Sequence, residues 1–259
     1  MHASPTALPA LLAASVLLCS CGGSNTDSHV EAPGAQKTVG TRALDSGAAA
    51  LQDRPPIEAL NAYLDGFHFY SGALQAQMEA HHYCAVLNEE LIQCVIYDGN
   101  MKDAKLMGVE YIVSERLFRS LPAEEKKLWH SHVHEVKSGQ LVAPGLPEPA
   151  EWALMSKLVT TYGKTWHTWH TDQQKTLPLG VPQLMMGFTA DGQVDEAMVT
   201  ARNQRLGIDS QQRRQSRASI PTPAVAEGAN SWERGEAVQI PPLTGAPHHG
   251  PAATPARVP

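Results

Sequence analysis

From Pro55 onward the chain switches between two hydrophobic periods, and the switching predicts its elements. Ile57, Leu60, Leu64 and Phe67 recur at helical spacing behind paired prolines, and SGALQAQMEA (71–80) predicts a second helix. The period then changes. In HHYCAVLNEELIQCVIYDG, apolar and aromatic residues flank a polar Asn88-Glu89-Glu90, as in a β-hairpin. GVEYIVS predicts another strand. SLPAEEKKLW predicts a short helix, with Pro122 in its first turn and Glu124 and Glu125 near the positive end of its dipole. HSHVHEVKSGQLVAPG predicts a hairpin turning at Ser138-Gly139, and residues 148–162 an amphipathic helix stopped by Gly163. KTWHTWHT and QLMMGFT predict strands, Asp191-Gly192 a turn, and DEAMVTARNQRLG a helix capped by Gly207. No βαβ alternation appears, so the expected class is α+β: a single domain of mixed helices and antiparallel hairpins.

The flanks lack these periods. Residues 22–54 are rich in Gly, Ala, Ser, Asp and Thr and predict a flexible tether. The tail from about Ser210 is poor in core residues and proline-rich from Pro221 onward, which predicts disorder, with Trp232 as one docking point. The expected organisation is a signal peptide over 1–20, a tether over 21–54, a globular domain over 55–208 and a disordered tail over 209–259. The apolar run Ala7 to Leu18 is too short to span a bilayer but suits a signal sequence. It ends in Leu18-Cys19-Ser20-Cys21, which resembles a bacterial lipobox; that resemblance implies lipid attachment at Cys21. An ordinary signal peptide cut near Ser20 is the alternative, and no Lys or Arg precedes the apolar run. Gly22-Gly23-Ser24, with no aspartate after the cysteine, implies an outer-membrane lipoprotein of the bacterial cell envelope, facing the periplasm or the surface. Its partner would be the membrane, reached through the N-terminal lipid.

The composition, 42% hydrophobic and 18% charged over 259 residues, is that of an ordinary globular chain. A net charge of −6 with one basic cluster, QQRRQSR at 211–217, argues against a nucleic-acid partner, which needs a clustered Lys/Arg surface.

Chemistry concentrates in LWHSHVHEVKSGQ. On a strand His130, His132 and His134 share one face, with neighbours about 6.6–6.8 Å apart, and Glu135 turns to the other. Adjacent rings can tilt toward one ion, so His130 and His132 form the candidate metal pair. Further ligands come from elsewhere: His82 or His81 before the first hairpin, and His167 or His170 on the Trp-rich strand. The proposed metal set is His130, His132, His82 and His167, with Zn or Fe as the cofactor. Glu135 is the candidate catalytic residue, able to act as ligand or general base only if the backbone bends there. Hydrogen-bonded histidines on sheet faces, with no ion, are the alternative. Gly163-Lys164-Thr165 lacks the earlier glycine of a phosphate loop, and no nucleophile elbow or dinucleotide fingerprint occurs. The His-x-His followed by Glu135 resembles cupin metal sites, but its glutamate comes too soon after the pair.

Centring the first hairpin on Glu89 sets Cys84 opposite Cys94, within disulfide range. The pair is either a disulfide or two buried thiols acting as small hydrophobes.

The strings LDGFHFYSG, MEAHHYC, LNEELIQCVIYDG, GVEYIVSE, LWHSHVHEVKSGQL, APGLP, TYGKTWHTWHTD and LPLGVPQLMMGFT together resemble the oil body-associated protein family, from about Leu60 to Gln193. The resemblance implies a role at lipid surfaces and brings no catalytic residues; His134 falls where plant relatives carry an aromatic residue. Two functions follow. The first is a lipid-anchored envelope protein with a non-catalytic role in lipid association or envelope maintenance. The second is a metal-dependent, hydrolase-like enzyme built on the histidine cluster, with Glu135 or Glu110 handling protons.

Overall fold

The structure, a computed structural model, describes residues 25–243. The expected signal peptide and Cys21 lie outside the described residues. In chain order the elements are α1 (Val39–Leu51), α2 (Pro55–Glu58), β1 (Ala62–Tyr70), β2 (Ala73–Asn88), β3 (Leu91–Tyr97), β4 (Leu106–Ser114), α3 (Glu115–Ser120) and α4 (Ala123–Lys126). There follow β5 (His130–Ser131), α5 (Val133–Ser138), α6 (Glu148–Leu158), β6 (Thr161–His167), β7 (Gln183–Met186), α7 (Glu196–Leu206) and α8 (Ser210–Ser216), then a 3₁₀ turn at Ser231–Arg234.

The strand pairing returns to its start. β1 pairs with β2, β2 with β3, β3 with β4, β4 with β6, β6 with β7 and β7 with β1, all antiparallel. This is a closed six-stranded barrel, which leaves no edge along the circuit. The α+β expectation therefore holds only coarsely, because the hairpins form one barrel. The two-residue β5 continues the β7 edge, pairing His130 with Gly163 of β6.

Side-chain parity sorts the barrel into layers. Tyr70, Met78, Ala80, Ile96, Met107 and Met185 pack as one apolar cluster. Leu64, Cys84, Cys94 and Ile112 form another with Val136, Met155 and Leu158 from α5 and α6. Along β2, Met78 and Ala80 belong to the first cluster and Cys84 to the second, with His82 between them. A polar layer thus runs between two greasy ones. Outside, Phe67 and Phe69 of β1 and Leu184 and Met186 of β7 are covered by Val199 of α7, Trp232 and Val238.

Several sequence expectations are corrected. Helical spacing over 57–67 gives only the short α2, since Leu64 and Phe67 lie on strand β1. The second predicted helix, 71–80, is the start of β2: pairing with β1 overrides the helix propensity of its alanines and glutamines. The hairpin expected around Ser138-Gly139 is instead helix α5, whose left-handed C-cap is Gly139 (φ +79). Hairpin turns and helix C-caps both recruit glycine at positive φ, so this residue alone does not separate them. Gly163 caps no helix; it lies within β6. The N-terminal segment is not a featureless tether, because Thr26 and Val30 are buried, Thr26 N donates to Asn100 Oδ1 at 2.7 Å, and Thr38 caps α1. The tail expected to be disordered is ordered to residue 243. Ile220, Ala226 and Ala229 are buried, and Asn230 Oδ1 accepts from Ser131 N at 2.9 Å. Few apolar residues suffice there because the barrel wall offers each a partner.

The hairpin register sets Cys84 opposite Cys94, and their sulfurs are bonded. Replacing both by serine is expected to lower unfolding free energy by about 2–3 kcal/mol, the entropy of freeing so short a loop. Denaturant titration of the variant under non-reducing conditions checks this, and an unchanged midpoint would show that the bond contributes nothing.

Candidate functional site

The polar layer is assembled from six places in the chain. β1 contributes His68, β2 His82, β4 Glu110, β5 His130, the α5 segment His132 and Glu135, and β6 His167. None is more than 4% exposed. The strand residues point inward by parity with Tyr70, Cys84, Ile112 and Thr165. His132 and Glu135 arrive differently. The chain turns helical at Val133, so strand alternation ends and Glu135, one turn on from His132, comes back to the interior. His134 is thrown outward, with Nε2 3.9 Å from Asp191 and 3.3 Å from Gln140 Nε2.

Glu110 is the hub. Its Oε1 lies 3.2 Å from His132 Nε2 and 3.5 Å from His130 Nε2, and its Oε2 lies 3.1 Å from His82 Nε2. Glu135 Oε2 stands 3.9 Å from His130 Nε2. Ring centroids separate His68 from His82 by 5.0 Å, from His167 by 5.5 Å and from His130 by 5.9 Å. Two glycines make the space. A Cβ on Gly163 would collide with Glu110 Oε1 and stand 2.8 Å from Nε2 of both His130 and His132. One on Gly187 would stand 2.7 Å from Glu135 Oε2.

Burial governs the charge states. It pushes His68 well below the usual imidazole range, helped by His82, and it lowers His130 and His167 to about 3. For Glu110 burial acts upward, but the His132 and His82 rings that face its two oxygens outweigh it and hold the carboxyl well below its usual range. Burial, then the Glu110 charge, pushes Glu135 well above its ordinary value. Glu110 is therefore the charged carboxylate of the layer, with His68, His130 and His167 neutral around it. Many of its atoms lack a hydrogen-bond partner: both ring nitrogens of His130 and His167, His68 Nδ1, His82 Nε2 and Glu135 Oε2. In a dry interior each such atom costs about 1–3 kcal/mol. Chemically the set is a cage of nitrogen and oxygen donors. The adjoining void is about 10 Å³, room for roughly one water or ion and for no organic substrate.

His82, His130, His132, His167 and Glu135, all singled out from sequence, thus converge. His81 and His170 do not join them. His81 faces the other side of β2, 2.8 Å from Tyr63 OH and 3.0 Å from Asp65 Oδ2, and His170 Nε2 lies 3.1 Å from Val181 O. His68 escaped notice because its segment reads as a helix; strand parity with Tyr70 would have found it. Glu110, in phase with Ile112 along GVEYIVS, must share that residue's buried face, which is the signal that places it in the layer and not only in proton handling.

The fold and site define a class: a closed antiparallel barrel, wrapped by helices, around a wholly buried imidazole–carboxylate layer. Residues 54–221 match the family described as "Protein of unknown function (DUF1264)". The chain is 44% identical over 202 residues to oil body-associated protein 1B of Arabidopsis thaliana, covering 78% of this chain and 84% of that one. It is 41% identical over 214 residues to oil body-associated protein 1A of Zea mays, covering 82% and 90%. It belongs to the oil body-associated protein family. No solved structure matches it. The relatives correct the expected location: their names place them with oil bodies of plants, which contradicts a bacterial outer-membrane lipoprotein. Among the described residues no helix is long and apolar enough to cross a membrane.

Proposed function

We propose that this protein associates with lipid surfaces and acts there without catalytic turnover. The observation that carries this reading is the high identity, over most of both chains, to proteins named for association with oil bodies. The outer face of β2, β3 and β4 supports it. Tyr83, Val95 and Val109 stand opposite one another across the three strands, and Tyr111 follows on β4. Val109 and Tyr111 are exposed, as are Val86 and Leu87 at the hairpin tip. A shallow groove of about 270 Å³ beside them is lined by Ile57, Leu60, Tyr97 and Met101. Water-facing strand positions are ordinarily polar, so the exposed valine and tyrosine side chains grouped here favour an interaction surface.

Flotation with triolein droplets coated in phospholipid tests the reading. The wild-type protein is expected to rise with the droplets, and Val109→Asp with Tyr111→Asp to leave most of it in the aqueous layer with its melting temperature little changed. Wild-type protein that stays in the aqueous layer would refute the proposal.

The second reading, a metal-dependent hydrolase with Glu135 as general base, draws on the closeness of Glu135 to His130. It requires a substrate to reach groups at most 4% exposed, beside a void that holds no organic molecule. The non-catalytic reading is better supported.

A further inference from the structure

We infer that the layer inside the barrel is a structural binding site for one first-row transition-metal dication, held by Nε2 of His130 and His132 and the carboxylate of Glu110, with His82 and His68 at the remaining positions.

The argument begins with tautomers. His132 Nδ1 lies 2.8 Å from Thr161 Oγ1, whose single hydrogen is donated to Leu158 O at 2.7 Å. That hydroxyl can only accept from the ring, so the proton of a neutral His132 sits on Nδ1. His82 Nδ1 lies 3.1 Å from Ala80 O, a carbonyl that likewise can only accept. With those protons placed, the Nε2 atoms of both rings carry lone pairs, and both are aimed at Glu110, at 3.2 and 3.1 Å. Lone pairs do not face a carboxylate without a cation between them. One remedy gives both rings a second proton, which leaves two imidazolium ions around one carboxylate in a buried interior, with a net charge unpaired. A dication leaves the same net charge but meets both lone pairs, and the unpartnered nitrogens of His130 and His68, with one ion that all of them coordinate. An Nδ1–H held by a carbonyl or hydroxyl, with Nε2 left free, is also the arrangement that orients ligating histidines in metal sites.

Spacing agrees. Two donors each about 2.1 Å from one ion lie about 3.0 Å apart at a right angle and about 3.4 Å apart at the tetrahedral angle. The Glu110–His132 and Glu110–His130 separations are 3.2 and 3.5 Å. Single donor atoms of His68, Glu110 and His130 lie within 4.8 Å of one another, as do those of His130, His132 and Glu135. The unpartnered nitrogens of His130, His82 and His68 are the donors such an ion would use. A set this rich in imidazole suits manganese, iron, cobalt, nickel or zinc; calcium and magnesium prefer oxygen cages. With no room for a substrate, the ion's role is to tie β1, β2, β4, β5 and the α5 segment together.

The test uses the tag-free full-length chain, unfolded in guanidinium with a chelator, then refolded alone and with Mn²⁺, Fe²⁺, Co²⁺, Ni²⁺ or Zn²⁺ in turn. After desalting, at least one ion is expected to remain at about one per chain and to raise Tm. Co²⁺ is expected to develop visible ligand-field bands that stop growing at one equivalent. His130→Ala with His132→Ala is expected to lose both the retained ion and the bands. If that variant fails to fold, the wild-type Co²⁺ titration decides alone. A wild-type chain that retains none of the five ions, shows no bands and melts at the same temperature with each would overturn the inference. No lipid enters these measurements, so the metal site and the lipid reading fail separately.

Discussion

Replacing Arg202 with methionine is expected to lower the unfolding free energy by about 3–5 kcal/mol, the usual result of orphaning one partner of a buried ion pair. Arg202 and Asp65 are both fully buried, with Nη1 2.6 Å from Oδ1. The same Nη1 donates to Gln140 O at 3.0 Å, Nη2 donates to Ser210 Oγ at 3.2 Å, and the guanidinium lies over the Phe67 ring at 4.8 Å. Burial pushes the Asp65 carboxyl up, but the His81 hydrogen bond and the Arg202 charge outweigh it and hold it below the ordinary range. Methionine fills similar volume without charge, so the expected loss comes mainly from a stranded carboxylate. Adding Asp65→Asn should therefore recover part of it, which a double-mutant cycle by denaturant unfolding would measure. A single variant that loses less than about 1 kcal/mol would show that water relaxes around Asp65.

The pair also bears on the site. Asp65 exchanges backbone hydrogen bonds with Val142, and Arg217 donates from Nη1 to Val136 O and Leu141 O, each at 2.8 Å. Arginines from α7 and from the residue after α8 thus hold Val136, Gln140 and Leu141, the chain just after Glu135. Loosening them should move Glu135 before the strands move.

The second large effect is expected at Gly163. Alanine there adds one methyl group where Glu110 Oε1 already stands, and where Nε2 of His130 and His132 would be 2.8 Å away. Overfilling a packed interior ordinarily costs about 1–3 kcal/mol. Here the displaced atoms are the carboxylate and two of its imidazole neighbours, so the cost should reach or exceed the top of that range. Gly163→Ala is expected either to unfold in the cold or to melt far below the wild type. Gly192→Ala is a control for handling, since Gly192 has open space and its positive φ costs only a local turn. A Gly163→Ala protein with wild-type stability would mean that β6 shifts freely and that the layer is not tightly packed.

The residues show unevenly which parts of this architecture can be read without coordinates. The Cys84–Cys94 register follows from counting outward from Glu89, because a hairpin's pairing is local and period two permits no drift. His130 and His132 stand together in the chain and again in the barrel. Glu135 could not be placed from spacing, because its direction depends on whether Val133–Ser138 coils, and Gly139 suits a turn and a helix cap alike. His68 was hidden by a helical pattern over 57–67 that is coincidental once Leu64 faces inward and Phe67 outward. The tail misleads for a related reason: sparse apolar residues look disordered until a wall exists for Ile220 and Ala229 to pack against.

By itself the sequence determined what is local: the α+β character, the hairpin around Glu89 that sets Cys84 opposite Cys94, the family, and a surplus of histidine in the middle of the chain. Only the tertiary structure decided that β4 meets β6 and closes the barrel, and that side chains from residue 68 to residue 167 turn toward a single carboxylate. Spacing along a strand fixes which face a residue takes. Whether that face becomes an interior depends on partners a hundred residues away.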